Sequence, residues 1–257
     1  MRDRNYALRV CGVSLGALIA LAVTPLRADE AADGMLTEVR GKTAATQTLT
    51  GDFSFVQQVQ GTETKFEGKF QLKRPNFARI QLGEPLGQTI VSDGKNVWML
   101  FRGAVTADGR TQYQYTKRAA DPDGLTLAVC APITLFFHPG SIGTPGPPPK
   151  GIKPPVVTTK LVNKETLDGA EYQVIEVSQE KPIPTITRLY IGADKRLARM
   201  MVERKGANPS KLSYILKNIK TEAVLNDRDF VFTPPKDAKL LPTPAGPLAP
   251  PKGKPEK

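Results

Sequence analysis

The chain has 257 residues, of which 40% are hydrophobic, so it can bury a core, and its length favours one domain with appendages. Its net charge of +11 favours contact with phosphate groups, on anionic lipids or on nucleic acid. The single histidine, His138, precedes a proline in a predicted loop, which argues against His-based catalysis and imidazole metal sites. We therefore expect no catalytic residue, no metal and no cofactor.

The N-terminus has the pattern of a secretory signal peptide. Arginines precede an apolar run over residues 10–23, and Ala28 offers a small residue at the cleavage position. We predict that residues 1–28 are removed, and secretion argues against nucleic acid as a partner. The run is too short for a comfortable membrane span, although it would act as an N-terminal anchor if it stayed uncleaved.

Neither cysteine is expected to be modified. Cys11 lies early in the apolar run and lacks the small residues that precede a lipidated cysteine, so we expect a soluble, non-lipidated mature chain. Cys130 would then be the only cysteine, which excludes an intramolecular disulfide. Its apolar neighbours favour a small buried hydrophobe over a reactive thiol.

The first half of the chain predicts a helix followed by an antiparallel meander. Met35, Leu36 and Val39 recur at helical spacing within residues 29–46. The Asp93-Gly94 pair is a strong hairpin signal, and this turn accounts for the aspartate without a catalytic role. Alternating polar and apolar residues predict strands over residues 50–60, from the turn at 61 to 74, and over 77–82, 88–92, 97–101 and 110–117.

Residues 121–137 are hydrophobic nearly all round, and Pro132 divides them into two short predicted helices. Such a block must be buried on several sides, so we expect it inside the curve of the sheet. A Gly/Pro-rich stretch over residues 139–155 follows and predicts a solvated loop.

The second half predicts another meander and then a tail. Strands are expected over residues 156–163, 172–178, 185–191, 197–204 and 211–222, with a last strand containing Phe230 and Phe232. Residues 238–257 are rich in proline and lysine, and we predict that they are disordered. Ten or eleven antiparallel strands with an N-terminal helix and a central helical lid or plug predict a mainly β fold. Its strongly curved sheet would form an unclosed half-barrel, and its concave face would hold either a filled core or a cavity.

Five segments resemble one known family. They are Lys73-Arg-Pro-Asn76, residues 91–98 (VSDGKNVW), 55–57 (FVQ), 131–136 (APITLF) and 229–235 (DFVFTPP). Together they resemble the periplasmic outer-membrane lipoprotein carriers, the LolA-type family, over about residues 29–236. The sequence departs from that family in having Ile80 where a tryptophan is common, in the insertion at 139–155, and in its Pro/Lys tail.

The resemblance implies a LolA-like domain over residues 29–237 that works in the periplasm, binds the acyl chains of lipoproteins and carries them toward the outer membrane. Implied partners are an inner-membrane ABC-type release complex and an outer-membrane acceptor, with an anionic membrane surface as a further candidate; we expect a monomer. The cavity would be lined by Phe53, Phe55, Phe66, Phe70, Leu72, Ile80, Leu127, Val129, Leu135 and Phe136.

Arg74 has two interpretations. It is a cation at the end of an apolar strand face, where it could snorkel to solvent with its stem on apolar surface. In the family, the arginine of the K-R-P motif hydrogen-bonds a movable lid in the closed state, and by position that residue is Arg74.

Two other functions stay open from the sequence. A lipid- or lipoprotein-sensing regulatory module of the same fold would bind a membrane-protein partner and move nothing. An envelope-binding structural module, using the basic tail, would need no cavity.

Overall fold

The computed structural model describes residues 27–84, 86–105, 109, 111–120, 132–138, 142, 156–181, 183–206 and 208–242. Residues 1–26 of the predicted signal peptide, most of the apolar block and of the Gly/Pro-rich stretch, and the tail beyond Pro242 lie outside these ranges.

The described elements follow one another as β1 (Arg27–Ala28), α1 (Glu30–Ala45), β2 (Thr48–Val59), β3 (Thr62–Lys73), β4 (Phe77–Leu82), β5 (Thr89–Asp93), β6 (Asn96–Val105), β7 (Thr111–Ala119), an inner 3₁₀ helix (Pro132–Phe137), β8 (Val157–Leu167), β9 (Ala170–Gln179), β10 (Thr185–Ile191), β11 (Leu197–Arg204), β12 (Ser210–Thr221), an outer 3₁₀ helix (Asp227–Phe230) and β13 (Lys239–Leu240).

All described strands belong to one open sheet in the order β1-β8-β9-β10-β11-β12-β2-β3-β4-β5-β6-β7-β13. The predicted fold class is confirmed: the fold is mainly β, the sheet is unclosed, and a helix precedes it. The sheet is mixed because its two terminal pairs, β1 with β8 and β13 with β7, are parallel. The prediction of a wholly antiparallel sheet was wrong at these two-residue edges, which no alternation pattern could reveal.

Helix α1 begins where the sequence provides a cap. Asp29 has extended backbone angles, and its Oδ1 accepts from the backbone N–H of Ala31 at 3.1 Å, which satisfies one free donor of the first turn. The helix buries one stripe of side chains against the inner face of the sheet, made of Ala32, Leu36, Val39 and Thr43. Their spacing of three or four residues explains why a helix with two glycines is retained.

The inner face of the sheet carries the main core. The buried positions of β3 are Phe66, Phe70 and Leu72, and those of β4 are Ala78 and Ile80. These strands alternate between buried and more exposed side chains, as the sequence predicted. The core continues through β8–β12 and includes residues of α1 and of the inner 3₁₀ helix.

The C-terminal segment was predicted incorrectly. Phe230 lies in the outer 3₁₀ helix, and Phe232 lies outside the strands, because the segment crosses the outer face of the sheet instead of extending it. Phe230 is completely buried and contacts the Phe77 ring, while Phe232 stacks on Trp98. Beyond this segment, Lys239 and Leu240 pair with β7, where disorder was predicted, because the edge of β7 offers unpaired backbone groups.

Both edges of the sheet are protected. The Leu241 N–H donates to Tyr115 O at 2.8 Å beside β13, which extends the cover of β7. At the other edge β1 covers only the beginning of β8, and the rest of β8 carries Lys160, Lys164 and an irregular register between Val162 and Glu165. Lysines and bulges on an edge strand discourage pairing with other chains.

Candidate functional site

Most of the predicted cavity residues lie together on the inner face of the sheet. Phe53, Phe66, Phe70, Leu72, Ile80 and Phe136 are each at most 5% exposed, and Phe55 is half-buried against the core. Leu127 and Val129 lie outside the described residues, and Leu135 belongs to the inner 3₁₀ helix, but its side chain is not described. The structure therefore places six of the ten side chains on the inner face of the sheet and a seventh, Phe136, in the inner 3₁₀ helix that packs against it.

An aromatic series connects the sheet to the inner 3₁₀ helix. Phe66 stacks on Phe55 at 5.9 Å between centroids, Phe55 stacks on Tyr214 at 4.7 Å, and Tyr214 meets Phe136 at 6.4 Å with tilted rings. Burial raises the pKa of the Tyr214 phenol far above its ordinary value, so the hydroxyl stays protonated. This arrangement joins β3, β2, β12 and the helix over a span of apolar surface.

The sequence analysis missed Tyr214 and the other inner-face residues of the second half. Leu212, Tyr214 and Leu216 alternate along β12 and pair with the β2 residues opposite, which include Phe53 and Phe55. The same alternation that identified β3 would have found them.

The space under the inner 3₁₀ helix is small. A cleft of about 60 Å³ lies between the C-terminal end of α1, the helix and strands β11 and β12, and its walls include Leu49, Phe136, Phe137, Leu197 and Leu216. Small-molecule sites typically enclose about 300–1,000 Å³, so this cleft cannot hold an acyl chain. The side chains of Phe53, Phe70 and Leu72 on the inner face are each at most 5% exposed.

Arg74 turns inward and connects three elements. Its Nε donates to Thr46 O at 2.9 Å, and its Nη2 donates to Thr43 O at 2.8 Å and to Phe137 O at 2.9 Å. The guanidinium also lies 4.5 Å from the centroid of the Phe137 ring. The side chain thus contacts the C-terminal end of α1 and the inner 3₁₀ helix instead of snorkelling to solvent.

The charge of Arg74 suits its position. The last carbonyls of a helix have no partner within the helix and carry partial negative charge, and the guanidinium supplies donors and a positive charge at this point. Burial lowers the pKa of the Arg74 guanidinium, which nevertheless stays protonated because arginine loses its proton only at extreme pH. The contact is therefore expected to persist across the physiological pH range.

Three further polar contacts of α1 were not predicted. Arg40 donates from Nε and Nη2 to Ile142 O, at 3.1 and 2.8 Å, and Arg196 donates to the Thr46 hydroxyl at 2.5 Å. Lys195 Nζ lies 3.4 Å from a carboxylate oxygen of Glu38. No sequence signal could have located these contacts, because their partners lie far apart in the chain and the acceptor for Arg40 is a backbone carbonyl.

Membrane-crossing and metal-binding features were sought in the same ranges. Within the described ranges, no helix has the length and apolar character needed to cross a membrane. No group of three or more metal-ligating side chains comes together in this part of the chain either.

Comparison with known proteins finds similarity to one family over part of the chain. Residues 44–116 match the family model described as outer membrane lipoprotein carrier protein LolA. The resemblance to the LolA family is thereby confirmed. The LolA-like segment contains three of the five segments that carried the sequence resemblance, residues 55–57, 73–76 and 91–98, whereas residues 131–136 and 229–235 lie outside it.

Relatives match part of the chain. An outer-membrane lipoprotein carrier protein of Azotobacter vinelandii is 35% identical over 95 residues, which cover 36% of this chain and 44% of the relative. One from Methylibium petroleiphilum is 36% identical over 100 residues, covering 38% of this chain and 42% of that protein. The chain thus spans less than half the length of either relative. A solved LolA superfamily protein from Nitrosomonas europaea shares 14% identity with a TM-score of 0.34, over 82% of this chain and 99% of that one.

Proposed function

We propose that the protein is a soluble periplasmic carrier that binds the acyl chains of lipoproteins between the inner face of its sheet and the inner 3₁₀ helix. One observation carries the proposal: an apolar cover, with Ile133, Phe136 and Phe137 buried, lies on an apolar sheet face and is bonded to it through Arg74. The resemblance to lipoprotein carriers over residues 44–116 supports the same reading.

The energetics of an acyl chain require a cover that moves. Removing a chain of about fifteen methylenes from water stabilises the complex by roughly 12 kcal/mol at about 0.8 kcal/mol per methylene. A carrier has to supply most of that stabilisation and still release the cargo. A cover that closes on the empty sheet does both, because its own side chains then replace the departing chain.

In this proposal the structure represents the closed position of the inner 3₁₀ helix. The cleft of about 60 Å³ would widen when the inner 3₁₀ helix moves away from the sheet and the bond from Arg74 to Phe137 O breaks. The cargo would then contact the side chains of Phe53, Phe55, Phe66, Phe70, Leu72, Ile80, Phe136 and Tyr214. We also propose Leu127, Val129 and Leu135 as lining residues. Arg74 acts as the latch, and no step calls for a catalytic group or a metal.

The N-terminus fits a secreted carrier. Cleavage after Ala28 would leave Asp29, the N-cap of α1, as the first residue, so the helix would keep its cap. The same cleavage would remove β1 (Arg27–Ala28) and its two-residue pairing with β8. Residues 1–28 are thus proposed to be the signal peptide, residues 29–237 the carrier domain, and the basic residues beyond it a segment that approaches anionic membrane surfaces. Sequencing the N-terminus of the exported protein tests the cleavage position.

Lipid analysis of the native protein tests the proposal. We expect mass spectrometry of lipids extracted from protein purified from the periplasm to show acylated cargo in a stoichiometric amount. Depletion of the protein should then leave lipoproteins in the inner-membrane fraction. Bound lipid without any change in the distribution of lipoproteins between the two membranes would favour the lipid-sensing regulatory module. A protein free of lipid under all loading conditions would contradict both the carrier and the sensing module.

Transfer partners are a further part of the proposal. An inner-membrane ABC-type complex would deliver the cargo and an outer-membrane acceptor would receive it, and the monomer would pass between them. Cross-linking in intact cells should capture the protein with one integral inner-membrane component and one outer-membrane component.

A further inference from the structure

Two arginines from different elements donate hydrogen bonds to backbone carbonyls in or just after the inner 3₁₀ helix. Arg74, which follows β3, donates to Phe137 O, and Arg40, on α1, donates through two N–H groups to Ile142 O. The two carbonyls are five residues apart in the chain, and Ile142 is only 2% exposed. The bond from Arg40 therefore reaches Ile142, which belongs to the Gly/Pro-rich stretch over residues 139–155.

Helix α1 is itself bonded to the sheet at both ends. At its start, the Asp29 N–H donates to Thr159 O of β8 at 3.1 Å. At its end, Arg196 from the turn before β11 donates to the Thr46 hydroxyl, and Lys195 pairs with Glu38 on the helix surface. These contacts bind α1 to β8 and to the β10–β11 turn, so the helix offers a fixed support from which Arg40 can hold Ile142.

We infer that Arg40 is a second latch of the cover, and that opening moves the inner 3₁₀ helix together with Ile142 while α1 stays on the sheet. This inference rests on the proposed function for its purpose, since the latch would control the admission of cargo. Arg40 donates two N–H groups to the same carbonyl oxygen. The two bonds fix the plane of the guanidinium relative to that carbonyl, which a single N–H would not do. The acceptor is a backbone atom, so substitution of Ile142 alone would leave the latch in place.

Hydrogen exchange of the full exported chain without cargo tests the inference directly. In Arg40→Ala we expect the amides of residues 133–142 to exchange about tenfold faster than in the wild type, because the substitution removes charge-assisted hydrogen bonds in a partly buried site. Exchange in α1 and in β2–β4 should stay unchanged. Lys42→Ala removes the same charge from an exposed position of the same helix and should change neither region.

A conservative variant separates the latch from a general loss of stability. Arg40→Lys keeps the charge and the helix propensity but cannot donate two N–H groups in one plane. We therefore expect an intermediate rate of amide exchange over residues 133–142. Uptake of 1-anilinonaphthalene-8-sulfonate should accelerate in the same order, from wild type through Arg40→Lys to Arg40→Ala. If Arg40→Ala does not fold, Arg40→Lys decides the question alone.

Two results would overturn the inference. One is unchanged exchange over residues 133–142 in Arg40→Ala and in Arg40→Lys; the other is a rise that extends equally through α1 and the sheet. Neither readout depends on lipoprotein cargo, so a protein that carries no lipid would contradict the proposed function and leave the latch measurement intact.

Discussion

Arg74 donates to Phe137 O at 2.9 Å while its guanidinium lies 4.5 Å from the Phe137 ring, so one residue holds the other by its backbone and by its side chain. The same Nη2 also donates to Thr43 O in α1. A cation fixed at the end of β3 thus joins the helix and the cover at a single point. Movement of the cover requires breaking the contacts with Phe137, whereas those with α1 can remain.

Substitution Arg74→Leu should trap cargo without unfolding the protein. The closed, empty state loses bonds to three carbonyls, which we expect to lower the free energy of unfolding by about 2–3 kcal/mol. The loaded state lacks the Phe137 contact and loses less, so the equilibrium shifts toward the loaded form. The fraction of lipid that remains bound after incubation with acceptor vesicles measures the effect, and we expect it to rise severalfold.

The matched control for this substitution is Lys69→Leu, which removes one positive charge from an exposed position of β3, the strand that Arg74 follows. It should release lipid like the wild type. If Arg74→Leu also released its cargo at the wild-type rate, the latch role of Arg74 would be wrong.

Gly68 is required by the close approach of Phe53. The two residues face each other across β2 and β3, and a Cβ at position 68 would lie 2.6 Å from Cε1 of the Phe53 ring and closer still to the backbone oxygen of Gln81 in β4. Gly68→Ala should therefore displace Phe53 on the inner face and lower the free energy of unfolding by about 1–3 kcal/mol, measured by urea denaturation. Gly34→Ala on α1, where a Cβ meets open space, should raise it by about 1 kcal/mol. Equal effects of the two substitutions would contradict this account.

Much of the sheet could be predicted because its side chains alternate. In β3 the inner face is apolar and the outer face is polar, and in β4 the inner residues Ala78 and Ile80 alternate with Phe77, Arg79 and Gln81, so strand positions and faces both follow from the sequence. The N-terminal helix followed in the same way from its apolar stripe. The elements that extend or cross the sheet, β13 and the outer 3₁₀ helix, carry no such periodicity and were missed.

The polar contacts of the candidate site are harder to predict from the sequence than the strands are. The position of Arg74 in a K-R-P motif suggested its role through resemblance, but nothing in the sequence identifies Thr43, Thr46 and Phe137 as its acceptors. Arg40 and Ile142 are 102 residues apart, and their bond depends on a backbone carbonyl that every residue type has. Such contacts arise from the folded arrangement of whole elements.

Phe232 should report the docking of the C-terminal segment on the outer face. It stacks on Trp98 at 5.7 Å between centroids and also contacts the Tyr115 ring at 5.6 Å. Trp98 is the only tryptophan of the chain. We expect Phe232→Ala to shift its fluorescence to longer wavelength, because the indole gains water, and to lower the free energy of unfolding by about 1–2 kcal/mol.

Val231→Ala is the control for this substitution. Val231 is exposed, and its carbonyl accepts from Arg79 whatever the side chain, so neither the spectrum nor the stability should change appreciably. An unchanged emission maximum in Phe232→Ala would show that the segment stays docked without this ring.

Glu176 should make stability depend on pH. It is nearly buried on the outer face between Lys160 at 3.1 Å and Arg188 at 3.1 Å. Burial opposes ionisation, but the hydrogen bonds from Lys160 and Arg188 outweigh it, so the pKa of Glu176 lies below its ordinary value of 4.5. The ionised carboxylate therefore stabilises the folded protein above the unfolded-state pKa, and this contribution is lost as the pH falls through the folded-state pKa.

Glu176→Gln should accordingly lower the free energy of unfolding by about 1 kcal/mol at pH 7, since both partners are partly exposed and regain water. The difference from the wild type should shrink as the pH falls below about 4.5. Denaturant titrations at several pH values measure it, with Glu171→Gln, which removes an exposed ion pair with Lys164, as a control expected to change little. A difference that stays constant from pH 7 to acid would mean that packing of the side chain, and not its charge, supplies the stabilisation.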